Sequence, residues 1–221
     1  MNCAIILARS QSKRIKRKNI KAFKGKPIIY WTIKNIINSK KFQKVIVSTD
    51  DKKIAKISKE CGAEVPFLRP KKLSTDHIGT KEVMDHAISY LDKKYKKLDL
   101  IGCFYATSIF AKPYLIKKSF HMINDKINFI FLSKITNPQS FRSFILDKNY
   151  KIAAMSKKNN SRTQDIKISY QDLGQFYIGR YNTWKKEKEI LIKNSKAIVL
   201  KNWQATDIDE IDDWKLAEKL F

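Results

Sequence analysis

Apolar positions along this chain change their spacing at intervals, and the changes lay out a series of strands and helices. Ala4-Ile5-Ile6-Leu7-Ala8 is a short continuous apolar run, the pattern of a strand buried on both faces. Ile29, Ile33, Ile36 and Ile37 then recur at helical spacing within 28–37, giving a helix with one apolar face. Lys44-Val45-Ile46-Val47-Ser48 is short and β-branched and predicts a second strand. Its polar end, Ser48-Thr49-Asp50-Asp51, predicts a cap for a helix carrying Ile54, Ile57 and Ser58. Cys61-Gly62-Ala63-Glu64 turns the chain into a short third strand, and Phe67-Leu68-Arg69-Pro70 opens a loop that runs towards Gly79.

The alternation continues beyond that loop. Val83, Met84, Ala87, Ile88 and Leu91 share one side of a helix starting at Thr80, and a fourth strand covers Leu98 to Phe104. A polar turn at Tyr105-Ala106-Thr107-Ser108-Ile109-Phe110 leads into a helix from Pro113 towards Ile123. Asn128 to Ser133 is a fifth strand, after which the pattern changes. Phe141 to Leu146 and Tyr150 to Met155 are short alternating runs around the turn signal Asp147-Lys148-Asn149, with no helix between them. They predict a hairpin-like arm over 138–173 that returns to the sheet near Gly174-Gln175-Phe176-Tyr177-Ile178. Pairing with a second subunit would cover its apolar faces. Ala197 to Leu200 is a last strand, followed by Thr206-Asp207-Ile208-Asp209 and a helix from Glu210 to Leu220.

Strands and helices in alternation predict the α/β class, and 221 residues suit one domain, 1–221, with a real core. No stretch reaches the ~18 consecutive apolar residues of a membrane span, and the first apolar run is too short for a signal peptide. The expectation is a cytoplasmic protein without a membrane partner. Cys3, Cys61 and Cys103 are scattered, with no Cys-x-x-Cys, and fit reduced thiols. His77, His86 and His121 stand alone, which disfavours a zinc site.

The formal charge of +25 raises a nucleic-acid-binding alternative. Only 7 of the 46 basic residues are Arg, however, and the lysines are spread over the whole chain. Base readers favour Arg forks and aromatic stacking. The skew therefore reads as surface composition, and the expectation is no nucleic-acid partner.

Charge matters more in one place. From Arg9 to Lys26 there are nine Lys or Arg and no acidic residue, directly after the first strand. Asp207 and Asp209, one residue apart on an extended segment, point to the same side and can hold a divalent cation. Both lie where strands give way to loops, as do the Ser-Thr-Asp and Tyr-Ala-Thr turns, so the four can converge on one sheet edge. Cations that hold a polyphosphate beside carboxylates that hold Mg²⁺ are the set needed for phosphoryl or nucleotidyl transfer. Neither a P-loop nor a GxGxxG fingerprint is present. The bland alternatives are a capping role for Asp50 and for the Asp207/Asp209 pair, solvated charge for Lys13, Arg14, Lys16 and Arg17, and core packing for the aromatics.

Leu7-Ala8-Arg9-Ser10-Gln11-Ser12-Lys13-Arg14-Ile15, with Lys18-Asn19 and Gly25-Lys26-Pro27, resembles the signature of the nonulosonate cytidylyltransferases, which make CMP-sialic acid and its bacterial relatives. Val47-Ser48-Thr49-Asp50, Arg69-Pro70 with Leu73-Ser74-Thr75-Asp76, and Asp207-Ile208-Asp209 extend the resemblance over almost the whole chain. Tyr105-Ala106-Thr107 followed by Phe110, and Asp172-Leu173-Gly174-Gln175-Phe176-Tyr177, are most similar to the pseudaminic acid subgroup. Ser10-Gln11 stands where many relatives have glycine, and Ser108-Ile109 where the subgroup has Ala-Pro.

The resemblance implies a three-layer α/β/α, Rossmann-like nucleotide-diphosphosugar transferase fold with a β-rich dimerisation arm, hence a homodimer. It implies transfer of CMP from CTP to the anomeric hydroxyl of a nonulosonic acid with release of pyrophosphate. Pseudaminic acid is the expected acceptor, and legionaminic or N-acetylneuraminic acid the alternative. Arg9, Lys13, Asp207 and Asp209 would be catalytic, the two aspartates as Mg²⁺ ligands. Leu7, Ala8, Arg9, Ser12, Lys13, Lys18, Asn19, Arg69, Asp76 and Thr80 would bind CTP. Tyr105, Thr107, Arg162, Gln175, Phe176 and Tyr177 would face the sugar.

Overall fold

The computed structural model describes residues 1–136, 144–155 and 168–221. In chain order it forms β1 (Cys3–Leu7), a 3-10 turn (Lys18–Ile20), a ribbon of β2 (Ala22–Phe23) and β3 (Lys26–Pro27), and α1 (Ile28–Ser39). Then come β4 (Lys44–Ser48), α2 (Lys52–Glu60), α3 (Thr80–Lys94), β5 (Leu100–Tyr105), α4 (Pro113–Met122) and β6 (Phe129–Ile135). The hairpin strands β7 (Phe144–Leu146) and β8 (Ile152–Met155) precede β9 (Tyr170–Arg180), α5 (Tyr181–Lys186), β10 (Lys196–Leu200) and α6 (Ile211–Leu220).

Among the described residues one main sheet runs in the order β10-β6-β9-β5-β1-β4. β1 pairs in parallel with β4 and β5, whereas β9 runs antiparallel to both β5 and β6. β1 is continuously apolar because helices cover both sheet faces. Ala4 and Ile6 join one core with α1, α4 and α6, through Ile33, Ile116 and Trp214. Cys3, Ile5 and Leu7 join the other with α3 and α5, through Met84, Ile88 and Trp184. Helix, sheet and helix are thus the three expected layers.

Gly174 decides how β9 meets these layers. Its φ of +55° lies in the left-handed region that favours glycine, and the β6–β9 register shifts between Phe131 and Ser133. As a result Leu173 and Phe176, an odd number of residues apart, face the same core, while Tyr177 faces the opposite one.

Several expectations need correction. The third strand is reduced to isolated bridges, Ile46 with Glu64 and Thr49 with Leu68, because Pro66 and Pro70 lack the N–H that a ladder needs. The cap of α2 is Asp51, whose side chain accepts from the Lys53 and Ile54 amides; Asp50 is free for other work. α6 is capped by a reciprocal pair, Glu210 with Asp213, so the Asp207/Asp209 pair is not its cap. α5 follows β9 without having been anticipated. In the 138–173 arm the β7–β8 hairpin is present, with Ile145, Leu146, Tyr150 and Ile152 exposed. Arg162 lies outside the described residues, as does half of the arm.

Candidate active site

A cleft of about 430 Å³ opens at the carboxyl ends of β1 and β5. β9 reaches it from the other direction: Phe104 pairs with Phe176, so the residues before Phe176 extend beyond the end of β5 into the cleft wall. The topology thereby brings four distant segments together, namely the basic loop, the 69–80 loop, the start of β9 and the Asp207–Asp209 turn.

The basic loop is shaped from within. Ile15 is buried, which pins its middle to the core. The Ser12 hydroxyl donates to the Ile15 carbonyl at 2.6 Å and accepts from the Lys18 amide at 2.9 Å, and Asn19 Nδ2 donates to the Arg9 carbonyl at 2.8 Å. Ser12 and Asn19 therefore brace the loop while also standing at the cleft. Arg9 Nη1 and Lys13 Nζ both close on Asp76, each at 2.5 Å and each on a different carboxylate oxygen. Lys13 first and Arg9 second hold that carboxyl below the usual carboxylate range. Lys13 is 77 % exposed yet anchored to an anion, which sets it apart from a freely solvated lysine.

Across the cleft, buried Ile208 anchors the closing turn in the core, and Asp207 and Asp209 on either side of it both line the cavity. Lys18 ties the two poles together, donating to the Ile208 carbonyl at 2.6 Å and to Asp209 Oδ1 at 3.2 Å. Arg14, read from sequence as open to solvated charge, also pairs with Asp209, at 2.9 Å. Asp207 has its pKa pushed up to about 6, by burial first and then by Asp209, with Lys18 opposing and Asp172 adding to the rise. A Cβ on Gly174 would stand 3.0 Å from Asp207 Oδ2, so a side chain there would crowd that carboxylate in addition to straining φ.

This set fits a divalent cation. No group of three or more His, Cys, Asp or Glu able to hold a metal ion occurs among the described residues. Mg²⁺, however, commonly takes one or two carboxylates and completes its shell with phosphate oxygens and water. A cation would also relieve the like-charge crowding that raises Asp207.

The third wall is aromatic. Tyr105 and Thr80 share a hydrogen bond of 2.7 Å, and the Tyr105 and Tyr177 rings meet edge to face at 6.3 Å. The Tyr177 hydroxyl donates to Asp172, whose other oxygen accepts from the Gly174 amide at 3.1 Å. Burial pushes both phenols up, so they stay neutral donors. Leu7, Thr107 and Arg69 also line this cavity. Burial pushes the Arg69 guanidinium down, with Asp50 opposing and Arg9 adding to the fall.

Three sequence candidates fall away from the cleft wall. Ala8 is fully buried in the core. Phe176 is 0 % exposed and packs on Phe104, because the Gly174 bulge turns it to the other layer. Gln175 is buried as well; its Oε1 accepts from the Phe110 amide at 3.1 Å and its Nε2 donates to the Leu173 carbonyl. Arg14 is an addition to the sequence candidates at the site. Asp172 and Gly174 belong to the segment that the resemblance places near the sugar, and the structure adds their individual contacts.

A family model described as "Cytidylyltransferase" matches residues 3–220. The chain is 35 % identical over 222 residues to a pseudaminic acid cytidylyltransferase of Campylobacter jejuni, covering 100 % of this chain and 96 % of that protein. It is 31 % identical to a CMP-N,N'-diacetyllegionaminic acid synthase of Legionella pneumophila, covering 98 % and 94 %. A CMP:2-keto-3-deoxy-manno-octonic acid synthetase solved with CTP shares the fold, with a TM-score of 0.71 at 14 % identity over 99 % of this chain and 97 % of that one.

Proposed function

The chain belongs to the cytidylyltransferase family, and from that premise we propose that it transfers CMP from CTP to the anomeric hydroxyl of a nonulosonic acid, with pseudaminic acid as acceptor. The observation that carries this reading is one cleft in which Arg9 and Lys13 face Asp207 and Asp209 with Lys18 between them. The acceptor rests on relatives that are 35 % and 34 % identical over the whole chain and carry that sugar in their names.

In the reaction the acceptor oxygen bonds to the α-phosphorus of CTP, and the bond from that phosphorus to the bridging oxygen of the β-phosphate breaks. Pyrophosphate leaves, and the hydroxyl proton passes to solvent. Arg9 and Lys13 bind the triphosphate and offset charge on the departing pyrophosphate, exchanging Asp76 for phosphate oxygens. Ser12 and Asn19 keep the cradle in shape, and Lys18 keeps it in register with the aspartate turn. Arg69 and Thr80 serve the nucleoside. Tyr105, Thr107 and Tyr177 wall the acceptor and exclude water. Asp207 and Asp209 would hold Mg²⁺, which when bound would polarise phosphate oxygens and lower the pKa of a nearby hydroxyl.

The protein works in the cytoplasm as a homodimer in this reading, with a second copy covering the exposed side chains of the β7–β8 hairpin. Pyrophosphate release should be measured with CTP or UTP against pseudaminic, legionaminic and N-acetylneuraminic acids. CTP with pseudaminic acid should give the highest kcat/KM. Higher kcat/KM with another sugar would reassign the acceptor, and no release with any sugar would end the proposal.

A further inference from the structure

Asp50 stands at the end of β4 and is not needed for the helix that follows, since Asp51 supplies that cap. Both its oxygens are nonetheless engaged. Oδ1 accepts from the Ser10 amide at 2.8 Å and Oδ2 from the Ser10 hydroxyl at 2.5 Å. Ser10 follows Arg9 directly and opens the phosphate cradle, so this two-point grip sets where the loop leaves the sheet.

On its other side Asp50 Oδ1 lies 4.0 Å from Arg69 Nη2. The Arg69 side chain is only 3 % exposed, and its Nε and Nη2 have no hydrogen-bond partner among the described residues. A buried guanidinium with open donors is costly, and a nearby anion offsets part of that cost and helps hold the group in place. Its backbone is held too: the Arg69 amide donates to the Thr49 carbonyl at 2.7 Å, next to Asp50 in the chain. Open donors on a cavity-lining residue await an acceptor from a ligand. Arg9 is a like charge that works against Arg69 and Asp50 opposes it, so removing Asp50 would leave that repulsion without an offset.

The geometry points to Asp50 as a positioning residue that couples the two halves of the nucleotide cleft, gripping the phosphate cradle through Ser10 and orienting Arg69 at the nucleoside end. It touches no substrate itself. The inference rests on the proposed use of CTP, and it adds a residue through which phosphate and nucleoside recognition become interdependent.

The test is calorimetric binding of CTP, cytidine and inorganic tripolyphosphate, with Mg²⁺, to wild type, Asp50→Asn and Ser10→Gly. Asp50→Asn should weaken CTP about tenfold, roughly the loss of one part-buried hydrogen bond to a charged group, and weaken both fragments. Ser10→Gly should weaken tripolyphosphate severalfold and leave cytidine unchanged. In turnover assays the KM for CTP should rise in Asp50→Asn while the acceptor KM and the melting temperature hold. A parallel rise in both KM values with a lower melting temperature would mark a merely structural role and overturn the inference. Wild type that binds no CTP overturns this inference and the proposed function together; wild type that binds while Asp50→Asn matches it overturns only the inference. Should Asp50→Asn fail to fold, Ser10→Gly decides: tripolyphosphate affinity equal to wild type overturns the inference, and a selective loss supports it.

Discussion

Replacing Asp207 with Asn should stabilise the metal-free protein while abolishing its turnover. The folded carboxyl titrates at about 6 against an ordinary 3.8, because it is buried beside Asp209 and Asp172. A rise of about 2 pKa units, at 1.36 kcal/mol each, amounts to about 3 kcal/mol as an upper figure for a group that is partly open to the cleft. The sign follows from linkage. Below the unfolded pKa both states are protonated and Asp207 costs nothing; through the window from about pH 4 to 6 the folded state holds the proton longer. Stability drains away as the pH rises through that window, and above about pH 6 the full cost is present. Asp207→Asn should therefore exceed wild type by up to about 3 kcal/mol at pH 7.5, roughly 8 °C in melting temperature for a chain of this size. The advantage should shrink towards pH 4. Urea and thermal unfolding in chelator across pH 4–8 measure it, and Mg²⁺ with CTP should then stabilise wild type more than the variant. An Asn variant that is no more stable than wild type at pH 7.5, or an advantage independent of pH, would refute the reasoning.

Outcomes for four further variants are expected. Gly174→Ala should cost about 1–2 kcal/mol for a left-handed residue with a Cβ, and lower kcat by pressing on Asp207, as read by unfolding and turnover together. Asp76→Asn should tighten pyrophosphate binding severalfold in calorimetry, because Arg9 and Lys13 lose a competing carboxylate. Phe176→Leu should lower stability by about 1 kcal/mol with little change in acceptor KM, whereas Tyr177→Phe, which removes the hydrogen bond to Asp172, should raise that KM.

Local pattern carried the sequence a long way. β1, α1, β4 and α3 were legible because their signals, a continuous apolar run, helical spacing and β-branching, arise within a few residues of one another. The basic loop and the Asp207-Ile208-Asp209 turn were legible as chemistry, since residue type and alternation alone put two carboxylates on one side of an extended segment. Order along the chain also predicted the α/β class with its loops at one sheet edge; the three layers came with the family resemblance.

What the tertiary structure alone decided lies between segments. Asp50 and Asp51 are indistinguishable as caps in sequence; only the folded chain gives Asp51 to α2 and Asp50 to Ser10 and Arg69. Phe176 and Tyr177 are equally aromatic, and the bulge at Gly174 sends one to the first core and the other to the opposite core beside the cleft. Asp76 reaches Arg9 and Lys13 from more than sixty residues away. Periodicity reports which face of its own element a side chain occupies, whereas pairing of charges across the cleft depends on how the elements pack, and that information is not local to any stretch of the chain.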